Sequence, residues 1–192
     1  NILYTRGIIT RNKPHITLHS VGDSASFNKD DPNKTIILSR SIFHKLNLKK
    51  LDLSFDDGYR DNIEYAKKYY DDTGKKSILF VATRFIFEDS WQFNFELYDF
   101  LKSKNEYKVC DFDKFKNQLK HMGLKEQKLW FKSKNWHISN CSPIPFLSVK
   151  ELRDLSNSNF IEIALHGHEH ISFKYLSLNN AIEDIKKSKL FL

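Results

Sequence analysis

Leu51-Asp52-Leu53-Ser54-Phe55-Asp56-Asp57-Gly58-Tyr59 is the stretch that decides the fold class. Leu51, Leu53 and Phe55 alternate with polar residues, the period of a strand with one apolar face. Two adjacent carboxylates and a glycine then end the strand in a sharp turn. Tyr59, Ile63, Ala66 and Tyr70 recur at helical spacing and predict a helix from about Tyr59, closed by Gly74 as its C-cap. Ile78-Leu79-Phe80-Val81-Ala82 follows as a continuous apolar run of strand length, the kind buried on both faces of a parallel sheet. Strand, helix and strand in that order predict an α/β architecture with parallel strands.

The same reading extends to both sides. Upstream, the run from Pro14 to Val21 alternates and reads as one strand ended by Gly22-Asp23, and Ile36-Ile37-Leu38 reads as a short one. Downstream, residues 88–145 change texture to aromatic and lysine-rich segments. There Phe93, Leu97, Phe100 and Leu101 fit one helix, and Phe112, Phe115, Leu119 and Met122 another, so 88–145 is expected to be a helical insertion in a single domain spanning 1–192. In this insertion Trp91, Trp130 and Trp136 are read as core. Ser148-Val149-Lys150-Glu151 is a capping box that starts a helix. Phe160 to Leu165 is a strand running into His166-Gly167-His168-Glu169-His170. Ser177 caps a last helix whose apolar positions are Leu178, Ile182, Ile185 and Leu190.

Composition removes several classes. The 192 residues suffice for one domain with a sizeable core, and 40% hydrophobic with 29% charged residues excludes a disordered or fibrous chain. Two cysteines, Cys110 and Cys141, exclude a disulfide framework and a four-thiolate zinc site. No apolar stretch approaches the roughly 18 residues of a membrane span. The net charge of +7 raises nucleic-acid binding as a candidate. Lysines carry most of it and are scattered, while arginine stands only at 6, 11, 40, 60, 84 and 153. That pattern reads as a solvated surface, with no specific nucleic-acid partner and at most weak attraction to an anionic polymer. The chain opens on Asn1 and stops at Phe191-Leu192 without a cap, as expected of a piece of a longer protein.

Two clusters carry chemistry, and both sit where a strand ends. In parallel α/β folds the carboxyl ends of the strands share one rim, where reactive groups gather. Asp56-Asp57-Gly58 alone reads first as an acidic turn and N-cap. Three histidines in five residues beside it form a different proposition, because a carboxylate with two imidazoles is a common ligand set for a catalytic Zn²⁺ that keeps a position open. In a helical turn His166 and His170, four apart, would lie on one face and grip one ion. In an extended segment 166, 168 and 170 would all point to one side, so the choice of ligands among them stays open.

The pattern resembles the polysaccharide deacetylases of the NodB-homology family, metal-dependent hydrolases on a distorted (β/α) barrel. Their (T/S)-F-D-D-G motif is similar to Ser54 to Gly58, and their H-(S/T)-x-x-H motif to His166 to His170, with Gly167 in place of Ser/Thr. Leu18-His19-Ser20-Val21 is similar to the family's Y-H-x-V segment, Ile78 to Ala82 to its T-F-F-V strand, and Phe146 to Leu152 to the helix before the second motif. The resemblance covers roughly residues 14–87 and 146–192. It implies a barrel incomplete at the C-terminus, because the family's later motifs, which supply an arginine, a groove aromatic and a histidine general acid, find no counterpart in this chain.

Carried over by position, the resemblance implies that Asp57, His166 and His170 hold a divalent metal, Zn²⁺ first and Co²⁺, Ni²⁺ or Mn²⁺ as alternatives. Asp56 is then the base that accepts a proton from the metal-bound water. The Tyr59 backbone N–H is a donor to the oxyanion, and His19 or His168 is a substitute acid. The implied substrate is an acetylated amino-sugar polymer or oligosaccharide of a bacterial cell surface. Two other readings remain at this stage. Gly167-His168-Glu169-His170 resembles the G-H-x-H of metallophosphoesterases, although their D-x-H and G-N-H-(D/E) segments are absent. The other is a carbohydrate-binding or vestigial domain that keeps the fold without turnover.

Overall fold

The computed structural model describes residues 13–23, 27–104, 108–139 and 143–192. Cys141 lies outside them, and Cys110 is an exposed free thiol. In chain order the elements are β1 (His15–Leu18), β2 (Ser20–Gly22), β3 (Ile37–Ser39), α1 (Arg40–Phe43), β4 (Asp52–Asp57), α2 (Asn62–Thr73), β5 (Ser77–Val81), α3 (Thr83–Phe87), α4 (Phe93–Ser103), α5 (Val109–Leu119), α6 (Leu124–Ser133), α7 (Val149–Ser156), β6 (Ile161–Leu165) and α8 (Leu178–Phe191). Four strands form one parallel sheet in the order β1-β4-β5-β6, and β2 pairs with β3 in a separate two-stranded parallel sheet. This is a mixed α/β chain. No helix among the described residues is long and apolar enough to cross a membrane.

The register places Ile16 beside Leu53, Phe55 beside Leu79, and Leu79 beside Ile163. Since side chains alternate across a strand, these residues share one face. Tyr65, Ala66 and Tyr69 of α2 and Leu152 and Leu155 of α7 pack onto that face in one continuous core. Withdrawing each large apolar side chain from water contributes about 1.5–3 kcal/mol, so this face holds the domain together. The opposite face carries Thr17, Ser54, Asp56, Ile78 and Phe80. Ile78 and Phe80 are only half-buried, so β5 is not covered on both sides as its apolar run predicts. The reason is that α2 and α7 both lie on one side. On the other side His15 Nε2 meets Ser54 Oγ at 2.8 Å and Thr17 Oγ1 meets it at 2.9 Å, which satisfies a fully buried hydroxyl.

Three local expectations need correction. The run 14–21 is not one strand, because it breaks at His19 and its two halves join different sheets. Asp61 of the α2 cap draws β2 away by accepting from Ser20 Oγ and the Val21 N–H. The helix expected from Tyr59 begins only at Asn62, since Tyr59 forms a bridge with Phe146. Its buried stripe is therefore Asn62, Tyr65, Ala66 and Tyr69. Gly74 does cap it, in the left-handed conformation at φ 70°.

Helix α8 turns inward a different face from the one its apolar spacing predicts. Ser177 caps it through the Asn180 N–H, but Leu178 and Leu190 are 76% and 85% exposed and Ile182 is also exposed. The residues that α8 buries are Asp184 and Ser188.

Among the described residues of 88–145 the chain forms the three helices α4, α5 and α6. Helices α4, α5 and α6 surround a hydrophobic cluster of their own, built on Trp91, Leu97, Phe100, Phe112, Leu119 and Phe131, with Trp130 and Trp136 packed against it. Met122 falls just past the end of α5. Glu96 is buried there and accepts from Trp91 Nε1 at 3.0 Å, from Trp136 Nε1, and from Ser139 Oγ at 2.7 Å.

Candidate metal centre

The carboxyl ends of β4 and β6 flank the end of β5, and that rim brings distant residues together. Asp57 is the last residue of β4, and His166 follows the last residue of β6. Positive φ values at Asp57 (75°) and Gly58 (94°) turn the chain off its strand. On the other side Gly167 (82°) and His170 (58°) do the same, so 166–170 is a curled loop rather than an extended segment. Bonds from the rim of β5 hold it. The His166 N–H donates to Val81 O at 2.9 Å, Thr83 N–H to Gly167 O at 3.2 Å, and Arg84 N–H to His168 O at 3.3 Å.

This curl brings three ligand-type atoms together. His170 Nε2 stands 2.9 Å and His166 Nε2 3.4 Å from Asp57 Oδ1, and one ligand atom from each residue lies within 4.8 Å of the others. Zinc bound at about 2.0–2.2 Å in tetrahedral geometry separates its donors by about 3.3–3.6 Å, so the cluster is near the size such an ion needs. Asp57 Oδ1 is buried and has no well-aligned hydrogen bond, a costly state for a carboxylate oxygen unless a cation completes it. Burial alone pushes the Asp57 carboxyl up. The imidazoles of His170 and His166, with His19 adding to the pull, outweigh that and hold it well below the usual carboxylate range. Asp57 is therefore an anion at neutral pH, the form a metal ligand requires. Two imidazoles and one carboxylate fit a divalent ion and leave coordination positions for a substrate or water, without distinguishing zinc from cobalt, nickel or manganese.

The other sequence candidates fall in different places. Asp56, one residue before Asp57, is half-buried and shares the polar face of β4 with Ser54. The Tyr59 side chain turns away from the rim into the insertion, where its hydroxyl and the Gln92 amide are 2.8 and 3.0 Å apart. Burial pushes its phenol well above the ordinary tyrosine range, so it stays protonated. His19 is half-buried between β1 and β2, and its carbonyl accepts from Asn62 Nδ2 at 2.7 Å.

His168 does not join the cluster. It is fully buried beneath the loop, with Nδ1 2.9 Å from Thr83 Oγ1, Nε2 3.2 Å from Glu88, and its ring stacked on Phe191 at 5.5 Å. Gly167 is what separates it from its neighbours. A positive φ between 166 and 168 breaks the alternation that would aim all three imidazoles one way.

Two features of the rim have no counterpart in the sequence motifs. Phe146 stacks between Tyr59 (4.7 Å) and Phe85 (4.5 Å), and Phe85 lies 5.2 Å from His170, so this aromatic wall borders the candidate ligands at its Phe85 end. Arg84 is buried 3.9 Å from Glu169 and donates to the carbonyls of Asp89 and Trp91. The wall joins residues about 90 positions apart in the chain, so no local pattern announces it. Compared with family models, with curated proteins and with solved structures, the chain shows no match.

Proposed function

We propose that this chain is a metal-dependent hydrolase that removes acetyl groups from acetylated amino sugars, with Asp57, His166 and His170 as ligands. The observation that carries the reading is the convergence of those three residues on the carboxyl rim of a parallel sheet, with a second carboxylate adjacent in sequence. The sheet order β1-β4-β5-β6 follows the chain, and both covering helices lie on one face. That arrangement supports a sheet that curls as part of a (β/α) barrel rather than a doubly wound one.

A divalent ion, zinc by preference for this donor set, would supply Lewis acidity toward an acyl carbonyl and acidify a coordinated water. The chain's own groups do the rest. Asp56 is the proton acceptor for the attacking water, and it suits that role as the carboxylate outside the ligand set. The backbone N–H of Tyr59, just past the turn, is the donor assigned to the developing oxyanion. Buried Phe85 packs against His170 and, with Phe146 stacked on it, keeps water from one side of that imidazole.

The test measures zinc stoichiometry and acetate release from an N-acetylated chitooligosaccharide. The expected outcome is about one zinc per chain, lost in Asp57→Ala, His166→Ala and His170→Ala. Asp56→Asn should keep zinc and lose about 10²–10⁴-fold in rate, the usual worth of a positioned base. Zinc binding without acetate release by the wild type would put a sugar-binding domain in place of the enzyme. Turnover of a phosphate monoester instead would move the site to the phosphoesterase class.

A further inference from the structure

Helix α8 is built the wrong way round for a helix that simply covers a core. Its large aliphatic side chains Leu178, Ile182 and Leu190 are exposed, while the carboxylate of Asp184 is buried. A buried carboxylate is costly unless charge-assisted hydrogen bonds satisfy it. Asp184 has two such bonds, both from the loop that carries the histidines. The His168 N–H donates to Oδ2 at 2.8 Å and the Glu169 N–H to Oδ1 at 2.8 Å. Two successive backbone amides that converge on one anion form a concave nest, and here the anion is a side chain of the same molecule.

Gly167 belongs to the same device. A Cβ built on it would stand 2.6 Å from Asp184 Oδ2, closer than real Cβ contacts come, so the carboxylate reaches the two amides only because residue 167 has no side chain. On the far side of the loop Thr83 N–H and Arg84 N–H hold the carbonyls of Gly167 and His168. The central peptides between the two ligand histidines are therefore gripped from both edges. The side-chain torsions of His166 and His170 are the main freedom left to the ligand pair.

We propose that Asp184 is a positioning residue for the metal centre. By clamping the amides of His168 and Glu169 it fixes the 166–170 curl in the one shape that brings both imidazoles onto Asp57 Oδ1. This inference rests on the reading of Asp57, His166 and His170 as metal ligands. Asp184 itself touches neither the ion nor a substrate; it acts through the backbone. The substitution Asp184→Asn is nearly isosteric and isolates the effect. An amide presents one acceptor and one donor, so in either orientation an NH₂ group faces one of the two N–H groups and the fork is broken.

The experiment compares the wild type with Asp184→Asn, Asp57→Asn and Leu155→Ala. Leu155 is buried under α7 in the main core, and its truncation destabilises the fold without touching the loop. For each protein, Zn²⁺ affinity is measured by competition with a chelator, the visible absorption of the Co²⁺ form is recorded, and the metal-free protein is melted. The expected result is a zinc affinity about 10–100-fold weaker in Asp184→Asn, the usual cost of losing a partner that orients ligands, with an altered Co²⁺ spectrum. Leu155→Ala should melt lower and, while folded, bind zinc as the wild type does.

Wild-type affinity and spectrum in Asp184→Asn would overturn the clamp and leave the metal centre intact. An equal loss in Asp184→Asn and Leu155→Ala would also overturn it, since Asp184 would then act only on global stability. No zinc binding by the wild type, or binding unchanged by Asp57→Asn, would overturn the metal reading itself and the inference with it. If Asp184→Asn does not fold, Asp184→Glu keeps the charge while moving the carboxylate by about one C–C bond, about 1.5 Å, and the same comparison applies.

Discussion

Gly167→Ala should be among the most damaging small substitutions in this chain, and its cost can be assembled from two parts. The first is backbone strain, since φ at 167 is 82° and an L-residue with a Cβ adopts such a conformation at about 1–2 kcal/mol. The second is displacement. The new methyl would lie 2.6 Å from Asp184 Oδ2, and the carboxylate cannot retreat without giving up the 2.8 Å bond from the His168 N–H. A buried hydrogen bond to a charged group is worth about 1.5–3 kcal/mol. The sum is about 2.5–5 kcal/mol against a total stability of about 5–15 kcal/mol for an ordinary domain. Gly74 calibrates the first part, because it has φ 70° and nothing within 4 Å of its built Cβ, so Gly74→Ala should cost only about 1–2 kcal/mol. Urea unfolding followed by circular dichroism reads all of these. In an Asp184→Ala background the steric part disappears, so Gly167→Ala should there cost no more than Gly74→Ala does. A cost below about 0.5 kcal/mol, or the same cost in both backgrounds, would refute the reasoning, because the first removes the strain and the second removes the clash.

Three further outcomes follow from single contacts. His168→Ala should retain stoichiometric zinc yet lose about 2–4 kcal/mol of stability, because it leaves a cavity against Phe191 and strands the Thr83 hydroxyl; zinc lost with His168 and kept without His166 would reassign the ligands. Ser148→Ala removes the acceptor for the Glu151 N–H in the α7 capping box and should cost about 0.5–2 kcal/mol by thermal melting, whereas Ser148→Asp should cost little. Burial pushes the Asp89 carboxyl up, but Lys128 and the Trp91 N–H outweigh it and hold the group below its ordinary value. Its stabilisation is therefore present above the unfolded pKa of about 3.9 and lost as pH falls through the lower folded value. Asp89→Asn should accordingly destabilise the chain near neutral pH, by about 1 kcal/mol for a half-buried pair, and converge on the wild type in strong acid. An Asp89→Asn deficit that persisted unchanged in acid would assign the effect to packing instead.

What was legible in the sequence divides along the range of the interactions involved. Strands β4, β5 and β6, the Ser148–Glu151 capping box and the Gly74 stop are settled by neighbours within a few residues, and alternation, a short apolar run or a Ser-x-x-Glu spacing is enough to read them. The rim position of Asp57 and of His166 follows from the same strands, since each stands where a strand runs out. The aim of His168 was not legible. It depends on the sign of φ at Gly167 and on a buried slot made by Thr83 and Phe191, residues that sequence places 85 and 23 positions from it. The orientation of α8 failed for the same reason in a sharper form. Helical periodicity ranks faces by apolar content, and Leu178, Ile182, Ile185 and Leu190 win that ranking easily. In α8 the residues turned inward are instead Asp184 and Ser188. Two amides of a glycine-turned loop need an acceptor, and only the carboxylate of Asp184, 15 and 16 positions away, supplies it. In this chain the buried polar contact of α8 therefore leads directly to the loop between His166 and His170.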